Sequence, residues 1–307
     1  MRGFLLRRLI HAVFVIWGVV TVVFFLVRLT GDPTLFLVDQ SATQEEIAHM
    51  RGQLGLDRPL LVQYADFLGS AGRGDFGHSL REKRPAMRIV LEHFWPATVE
   101  LAAAALLLST VLAVPLGVIS ATHRGRVADH ASRLASLFLQ SMPGFWLGIM
   151  LILLFAVALG GVLPAFGRGT WQHLVLPAIA LAAAPLAQNV RLIRAGMLEV
   201  LGQDYVRTAR AKGVAERGVV YRHALRNAAL PVITVTGLSL GFMLSGALII
   251  ETVFAWPGMG RLIVQAVPGR DFPVIQAGVF VFALIFVAIN LLVDVLYTVA
   301  DPRVRLT

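Results

Sequence analysis

Long apolar stretches dominate this chain and are separated by shorter polar segments. A run of about 20 mainly apolar residues is long enough to cross the hydrocarbon core of a bilayer as a helix. Runs of this kind occur at approximately 9–29, 98–121, 135–160, 174–190, 231–250 and 275–299. The pattern therefore predicts an all-α integral membrane protein with six transmembrane helices.

The first apolar run follows Arg7 and Arg8, as the apolar part of a secretory signal would. It extends from Leu9 to about Leu29, which is long enough to span the membrane, and no A-x-A cleavage pattern follows it. We therefore expect a retained first span.

Basic residues collect in every second connection between the apolar runs. Short loops rich in Arg and Lys stay in the cytoplasm, so the side on which they collect gives the orientation. The basic residues on that side are Arg2, Arg7, Arg8, Arg124, Arg126, Arg133, Arg191, Arg194, Arg207, Arg210, Lys212, Arg217, Arg222, Arg226, Arg303 and Arg305. Both termini are predicted to be cytoplasmic.

This orientation divides the chain into two parts. Residues 1–95 comprise the first span and an extracytoplasmic segment, and residues 96–307 form a core of five spans with a long loop near 191–230. In the extracytoplasmic segment, Thr43 and Glu46 form a capping-box pattern, and Asp57 before Pro59 could start a second helix. Its apolar face would hold Leu60, Tyr64 and Phe67.

Composition supports a membrane protein and excludes several other classes. The chain has 307 residues, of which 57% are hydrophobic and 15% charged, whereas ordinary soluble domains have roughly 25% charged residues. The net charge of +9 lies in loops between apolar runs, so it does not indicate nucleic-acid binding. The absence of cysteine excludes disulfides, thiolate zinc sites and cysteine nucleophiles.

The cytoplasmic loop between the fourth and fifth apolar runs carries the most specific pattern. Residues 204–212 contain strong helix formers and no helix breaker, and Gly213 stands where a helix C-cap favours a residue that tolerates positive φ. Ala209 and Ala211 are small enough for another backbone to approach, and Arg207, Arg210 and Lys212 offer hydrogen-bond donors. The loop predicts a short helix that docks onto another protein, although its basic residues could also serve only topology and attraction to anionic lipid.

The spacing of Ala209, Gly213 and Leu230-Pro231 resembles the cytoplasmic loop of binding-protein-dependent ABC importer permeases. The chain departs from that family's consensus at the acidic first position, which is Arg207 here. Further segments resemble the B-type permease subunit of the dipeptide and oligopeptide branch. They are Gly31-Asp32-Pro33, 54–59, 74–79, 254–260 and Asp301-Pro302-Arg303.

The resemblance implies an ABC importer permease fold in a bacterial plasma membrane and a role as the pore subunit of an ATP-driven importer of short peptides. It implies a second permease subunit, two cytoplasmic ATPase subunits that bind ATP and Mg²⁺, and an extracytoplasmic peptide-binding protein as partners. Related permeases carry nickel chelates, haem, glutathione or sugars, so the substrate stays open. The implied ATPase-coupling residues are Tyr205, Arg207, Thr208, Ala209, Arg210, Ala211, Lys212 and Gly213. The segment 30–95 and the stretch 254–260 are expected to be the sizeable exposed surfaces on the outer side, so both are candidate contacts of the binding protein. In the second stretch the candidate residues are Phe254, Trp256, Pro257, Gly258 and Gly260.

Missing motifs separate this hypothesis from its rivals. A phosphate-binding loop needs G-x-x-x-x-G-K-[ST], and neither Lys83 nor Lys212 stands in one, so the chain is not itself the ATPase. No H-E-x-x-H or nucleophile-elbow pattern supports an intramembrane enzyme, although that class and an ion-coupled carrier remain the alternatives. No resident cofactor or metal is expected in this chain.

A few polar residues near the ends of spans are open to two interpretations. Asn290 and Asp294 lie one helical turn apart near the inner end of span six and could act in packing or as a gate. Glu251 ends span five and could anchor a loop or contact a ligand. Gly237, Gly241 and Ser245 form a small-xxx-small stripe that favours helix packing.

Overall fold

The computed structural model describes residues 2–29, 31–36 and 43–300, without the side chains of residues 2–6, 35–36, 230–231, 233–234, 238, 245 and 294–300. Its helices are α1 Arg2–Leu29, α2 Gln44–Gln53, α3 Leu60–Ala71, α4 Ala86–His93, α5 Val99–Thr122, α6 Val127–Ser141, α7 Gly144–Leu151, α8 Trp171–Leu201, α9 Asp204–Ala211, α10 Glu216–Gly218, α11 Leu225–Ala228, α12 Leu230–Val253, α13 Met259–Ala266 and α14 Phe272–Ala300. A 3₁₀ turn covers Pro33–Phe36, π-helical turns cover Ile152–Ala158 and Val219–Ala224, and the segment Phe94–Thr98 between α4 and α5 is kinked at Trp95. The predicted all-α architecture is confirmed.

Within the described ranges, four helical segments are long and apolar enough to cross a membrane, and one of them, Ala86–Thr122, is kinked at Trp95, whose φ of −108° and ψ of 117° are not helical. They are Arg7–Leu29, Ala86–Thr122, Trp171–Leu201 and Phe272–Val293. Two bent helix pairs, Val127–Ser141 with Gly144–Ala158 and Val235–Leu244 with Gly246–Val253, raise the number to six if each pair forms one span.

The third predicted span, 135–160, is not a straight helix. α6 and the helix that starts with α7 meet at an angle of 104°. Met142 has an extended conformation (φ −85°, ψ 128°) immediately before Pro143. A residue before proline is disfavoured in the α region, and proline donates no N–H to the preceding turn, so the helix breaks at this dipeptide.

The chain forms two compact units: Met1–Thr98 with Pro257–Val287, and Val99–Trp256 with Ala288–Thr307. The sequence-based division falls at 95/96, and the first break of this partition falls at 98/99. The sequence-based division does not assign residues 257–287 to the first unit.

The first unit has an apolar core built around α1, α3 and α4. Tyr64 and Phe67 of α3 pack against Phe24 of α1, with ring centroids 5.2 and 5.0 Å apart. Leu60 is exposed, so only two of the three residues predicted for this apolar face are packed. The helix begins at Leu60 after Pro59, and Asp57 does not cap it.

Polar contacts fix the loops of the first unit. The predicted capping box of Thr43 and Glu46 is confirmed at the start of α2. Asp271, at the start of α14, is buried and accepts hydrogen bonds from the Ser79 hydroxyl and from the Leu80 amide, the latter at 3.1 Å. This carboxylate therefore joins the loop near residue 80 to the corner before α14.

The second unit is built on close packing of α5 against α8. A Cβ atom on Gly117 would lie 2.7 Å from Ile193 Cβ and 3.0 Å from the Val190 carbonyl oxygen, so only glycine permits this approach. Near the end of α8, a Cβ on Gly196 would lie 3.1 Å from the Ala228 carbonyl oxygen. Small residues thus let these helices pack at backbone distance, as in other membrane bundles.

Candidate coupling site

The candidate coupling site is the helix α9 with the segment that follows it. Its C-terminus has the hydrogen bonds of a Schellman motif, since the Val214 amide donates to the Ala209 carbonyl at 3.2 Å and the Gly213 amide donates to the Arg210 carbonyl at 2.9 Å. Gly213 has φ +77°, a conformation that side chains disfavour. The predicted helix and its glycine C-cap are both confirmed.

One face of α9 is buried within the second unit. Val206 and Ala209, three residues apart, pack with Val219 and against Val200 and Leu201 at the end of α8. Ala209 is 8% exposed, so its small side chain allows α9 to pack closely against the end of α8. Direct contact between Ala209 and another protein, as the sequence suggested, does not fit this geometry.

The other predicted coupling residues lie on the exposed side of α9 and at its C-terminus: Tyr205, Arg207, Thr208, Arg210, Ala211, Lys212 and Gly213. The Tyr205 hydroxyl accepts a hydrogen bond from Asn227 Nδ2 at 2.7 Å, which ties the start of α9 to α11. The Thr208 hydroxyl donates to the Asp204 carbonyl at 3.0 Å.

An ion pair joins α9 to α10. Arg210 Nη2 lies 2.7 Å and Nε 3.1 Å from the two carboxylate oxygens of Glu216. The hydrogen bond to Glu216 raises the pKa of Arg210, and the hydrogen bond from Arg210 lowers the pKa of Glu216. Both groups are exposed, so their main effect is to orient the turn at Gly213. Sequence reasoning did not identify Glu216, because the pair forms across a non-helical turn.

The π-helical turn Val219–Ala224 connects α9 with the long helices. Val219 belongs to the cluster under α9, whereas Val220 and Ala224 pack in a second cluster with Ile193 and Met197 of α8. Because both clusters are made of buried, closely packed side chains, a displacement of α9 is resisted by α8 and this turn rather than absorbed in a loose loop.

A buried ion pair lies in the same unit and was not found from the sequence. Asp129, at the start of α6, is 1% exposed and binds Arg194 of α8 through two contacts, Nε–Oδ1 at 2.7 Å and Nη2–Oδ2 at 2.9 Å. The Ser120 hydroxyl and the Gly125 amide donate to the same carboxylate at 2.7 and 3.0 Å. Arg194 therefore lies inside α8 as a structural cation and not as a free loop charge.

The candidate contacts of the binding protein are mostly buried. Phe254 and Trp256 are each 1% exposed, Gly258 and Gly260 are also buried, and only Pro257 of the five is exposed. The assumption that this segment is an exposed surface is therefore wrong for the aromatic side chains. Trp256 instead lies near Arg168, whose guanidinium carbon is 5.9 Å from the indole ring centroid.

The residues with two interpretations have different surroundings. Glu251 is fully buried, and its carbonyl accepts a hydrogen bond from the Trp256 amide at 2.8 Å. Asn290 is partly exposed on α14, whereas the side chain of Asp294 lies outside the described residues, as do the side chain of Ser245 and the motif at 301–303. A Cβ on Gly237 would lie 2.5 Å from Val293 Cγ2, which fits the packing role expected of that stripe.

Comparison with known families decides the identity. The profile described as "Binding-protein-dependent transport system inner membrane component" matches residues 113–306. The profile for the N-terminal part of the same membrane components matches residues 1–102. The chain belongs to this family. It is a permease of the peptide and oligopeptide type, a component of a binding-protein-dependent ABC importer in the bacterial inner membrane.

Individual relatives match the permease over almost its whole length. It is 42% identical to the glutathione transport system permease protein GsiC of Escherichia coli strain K12 over 306 residues, 99% of each chain. The GsiC protein of Shigella boydii serotype 4 is 41% identical over the same share. Members of this family are the membrane subunits of ABC importers and not the ATPases; the family in general works with a partner permease, ATPase subunits and a periplasmic binding protein.

Solved structures show the same fold. Inward-facing conformations of the MetNI methionine ABC transporter match with a TM-score of 0.58 and 17% identity, covering 70% of the permease and 97% of that chain. An amino acid ABC transporter matches with a TM-score of 0.53 and 14% identity, covering 68% and 93%. At these identities the likeness concerns the fold alone.

Proposed function

We propose that this permease forms one half of the pore of an importer for short peptides, dipeptides and oligopeptides, with the tripeptide glutathione as the first substrate to test. The proposal is supported by the peptide-type sequence motifs and by the 42% identity to a permease named for glutathione transport. Nickel chelates and haem are the alternative cargoes.

In the proposed assembly, the permease pairs with a second, similar permease, and two cytoplasmic ATPase subunits bind ATP and Mg²⁺. An extracytoplasmic binding protein delivers the peptide. Both termini and the α9 loop lie on the cytoplasmic side, which the distribution of Arg and Lys supports. Segment 30–95 and Pro257 are the remaining candidates for contact with the binding protein.

The mechanism depends on the two faces of α9. Its exposed face, including Tyr205, Arg207 and Thr208, contacts an ATPase subunit, while its buried face is held by Val206 and Ala209 against α8. Closure of the ATPases on ATP displaces α9, and the packed clusters pass this displacement to the spans. The pore then alternates between inward-open and outward-open states.

The proposal is tested by reversing charge on the exposed face alone. Arg207 is exposed, and its only described contact is a 3.4 Å pair with Asp204, so Arg207→Glu leaves the buried face unchanged. In the co-expressed complex we expect Arg207→Glu to reduce co-purification of the ATPase subunits and ATP-driven glutathione uptake by about tenfold or more, as for a lost interfacial charge contact.

Arg226→Glu provides the matched control, because Arg226 is an exposed basic residue of the same loop outside α9. Normal ATPase binding by Arg207→Glu would contradict the docking assignment. Uptake by the isolated permease without ATPase subunits would instead contradict the importer mechanism.

A further inference from the structure

A cavity of about 420 Å³ lies within the second unit, where the bend between α6 and α7 meets α8 and α12. Its walls are mostly apolar and include Leu181, Phe242 and Ile250. Its polar side chains are Gln140 of α6, Gln188 of α8 and Ser239 of α12. None of the described residues that line it has an ionised side chain.

The cavity lies near the middle of the long helices. A Cβ on Gly246 of α12 would lie 3.4 Å from Leu181 of α8, and one on Gly196 would lie 3.1 Å from Ala228, just before α12. Residue numbers therefore rise along α8 while they fall along α12, so the two helices are antiparallel. In this register Ser239 is level with Gln188, close to the centre of both helices.

The side chains of the two glutamines differ from that of Ser239 in their hydrogen bonds. The Ser239 hydroxyl donates to the Val235 carbonyl of its own helix at 2.8 Å. Gln140 and Gln188 are exposed to the cavity, and neither side-chain amide has a hydrogen-bond partner in the described part of the chain. An unsatisfied amide at membrane depth is unfavourable, and acyl chains offer it no partner.

Pro185 lies in the same wall. It is inside α8 and has no N–H, so the Leu181 carbonyl lacks its usual intrahelical donor. The cavity thus presents two side-chain amides between apolar walls. This arrangement fits a ligand that both donates and accepts hydrogen bonds and carries apolar parts.

We propose that the Gln140–Gln188 cavity is a subsite that binds the main-chain amides of a short peptide during its passage. This inference rests on the proposed function. A side-chain amide can pair with a peptide group as donor and as acceptor at once. Because the lining is uncharged, the subsite recognises the peptide backbone and tolerates varied side chains.

The absence of cysteine allows a direct test in the intact complex reconstituted in proteoliposomes with its binding protein. Gln188→Cys introduces a single thiol into this chain at the cavity, and Gln172→Cys, at an exposed position near the start of α8, provides the control. We expect a small water-soluble maleimide to label both thiols. Saturating binding protein loaded with S-methylglutathione, which has no free thiol to consume the maleimide, should together with ATP slow labelling at residue 188 several-fold and leave residue 172 unchanged.

Uptake gives the second measurement. Gln140→Leu with Gln188→Leu should reduce ATP-driven glutathione uptake by about tenfold, the effect of losing one or two hydrogen bonds in a low-dielectric site. ATP hydrolysis and the affinity of the binding protein for glutathione should not change. Gln172→Leu should transport normally.

Each outcome decides the matter. No labelling at residue 188 in any state means that a partner helix or lipid fills the cavity, and this overturns the subsite. Labelling without protection, together with normal uptake by the double leucine variant, overturns it as well. If the unsubstituted complex takes up no glutathione or other short peptide, both the proposed function and the subsite are contradicted. If the unsubstituted complex takes up glutathione normally, the negative outcomes above contradict the subsite alone.

Discussion

At the scale of single residues, close packing in the second unit depends on glycines, which have no side chain. The hydrogen atom of Gly117 allows α5 to approach Ile193 and the Val190 carbonyl more closely than any side chain would permit. Apolar residues have little preference for each other over lipid, so close contact and dispersion supply much of the association energy. A position of this kind is therefore sensitive to added volume.

Gly117→Leu should destabilise the permease by roughly 1–3 kcal/mol through overpacking. A lower midpoint of thermal unfolding of the purified complex would show this. Gly18→Leu is the control, because a Cβ at Gly18 meets nothing within 4 Å. Equal midpoints for the two variants would contradict the close approach of α5 and α8.

Gly213 is sensitive for a different reason, its φ of +77°. Asparagine tolerates this conformation better than other residues, whereas proline is restricted to φ near −65°. We expect Gly213→Asn to retain most ATP-driven uptake and Gly213→Pro to abolish it while membrane insertion is unchanged. Gly160→Pro carries the same backbone conflict (φ +70°) far from α9 along the chain and should spare ATPase binding. Full uptake by Gly213→Pro would refute the requirement for a fixed end of α9.

At the scale of elements, α9 has one face that is packed against its own chain and one face that is exposed. Val206 and Ala209 hold it to α8, and Arg210 with Glu216 orients the turn that follows. The Asp129–Arg194 pair joins the start of α6 to the same helix α8. These contacts place α6, α8 and α9 in one packed block, which is the physical requirement for transmitting a displacement over distance.

Asp129→Asn should therefore weaken both stability and coupling, since it leaves Arg194 without its counter-charge beside a buried side chain. We expect a lower unfolding midpoint and less peptide imported per ATP hydrolysed. Glu100→Gln removes the 2.7 Å pair with Arg168, which is considerably more exposed, and should have a much smaller effect. Equal effects of the two variants would show that burial of Asp129 has no special role.

At the scale of the whole molecule, the proposed orientation follows only from the distribution of charge. The orientation can be measured by thiol labelling, because the chain has no cysteine and each introduced thiol is therefore unique in it. In intact cells, Glu82→Cys in the extracytoplasmic segment should react with a membrane-impermeant maleimide. Arg226→Cys should react only after the membrane is opened. The reverse pattern would invert the topology and place α9 outside.

The sequence by itself determined the features that depend on local physics. Apolar runs located most of the spans, and the Thr43 capping box and the Gly213 C-cap were predicted because their interactions lie within a few residues. Tertiary structure decided which way a short helix faces and which distant groups meet. Ala209 packs against its own chain, and Phe254 and Trp256 are buried. A predicted span is bent at Pro143, and Asp129 pairs with Arg194 of another helix. Nothing in a linear pattern encodes such pairs, because burial depends on helix rotation and on neighbours remote in the chain.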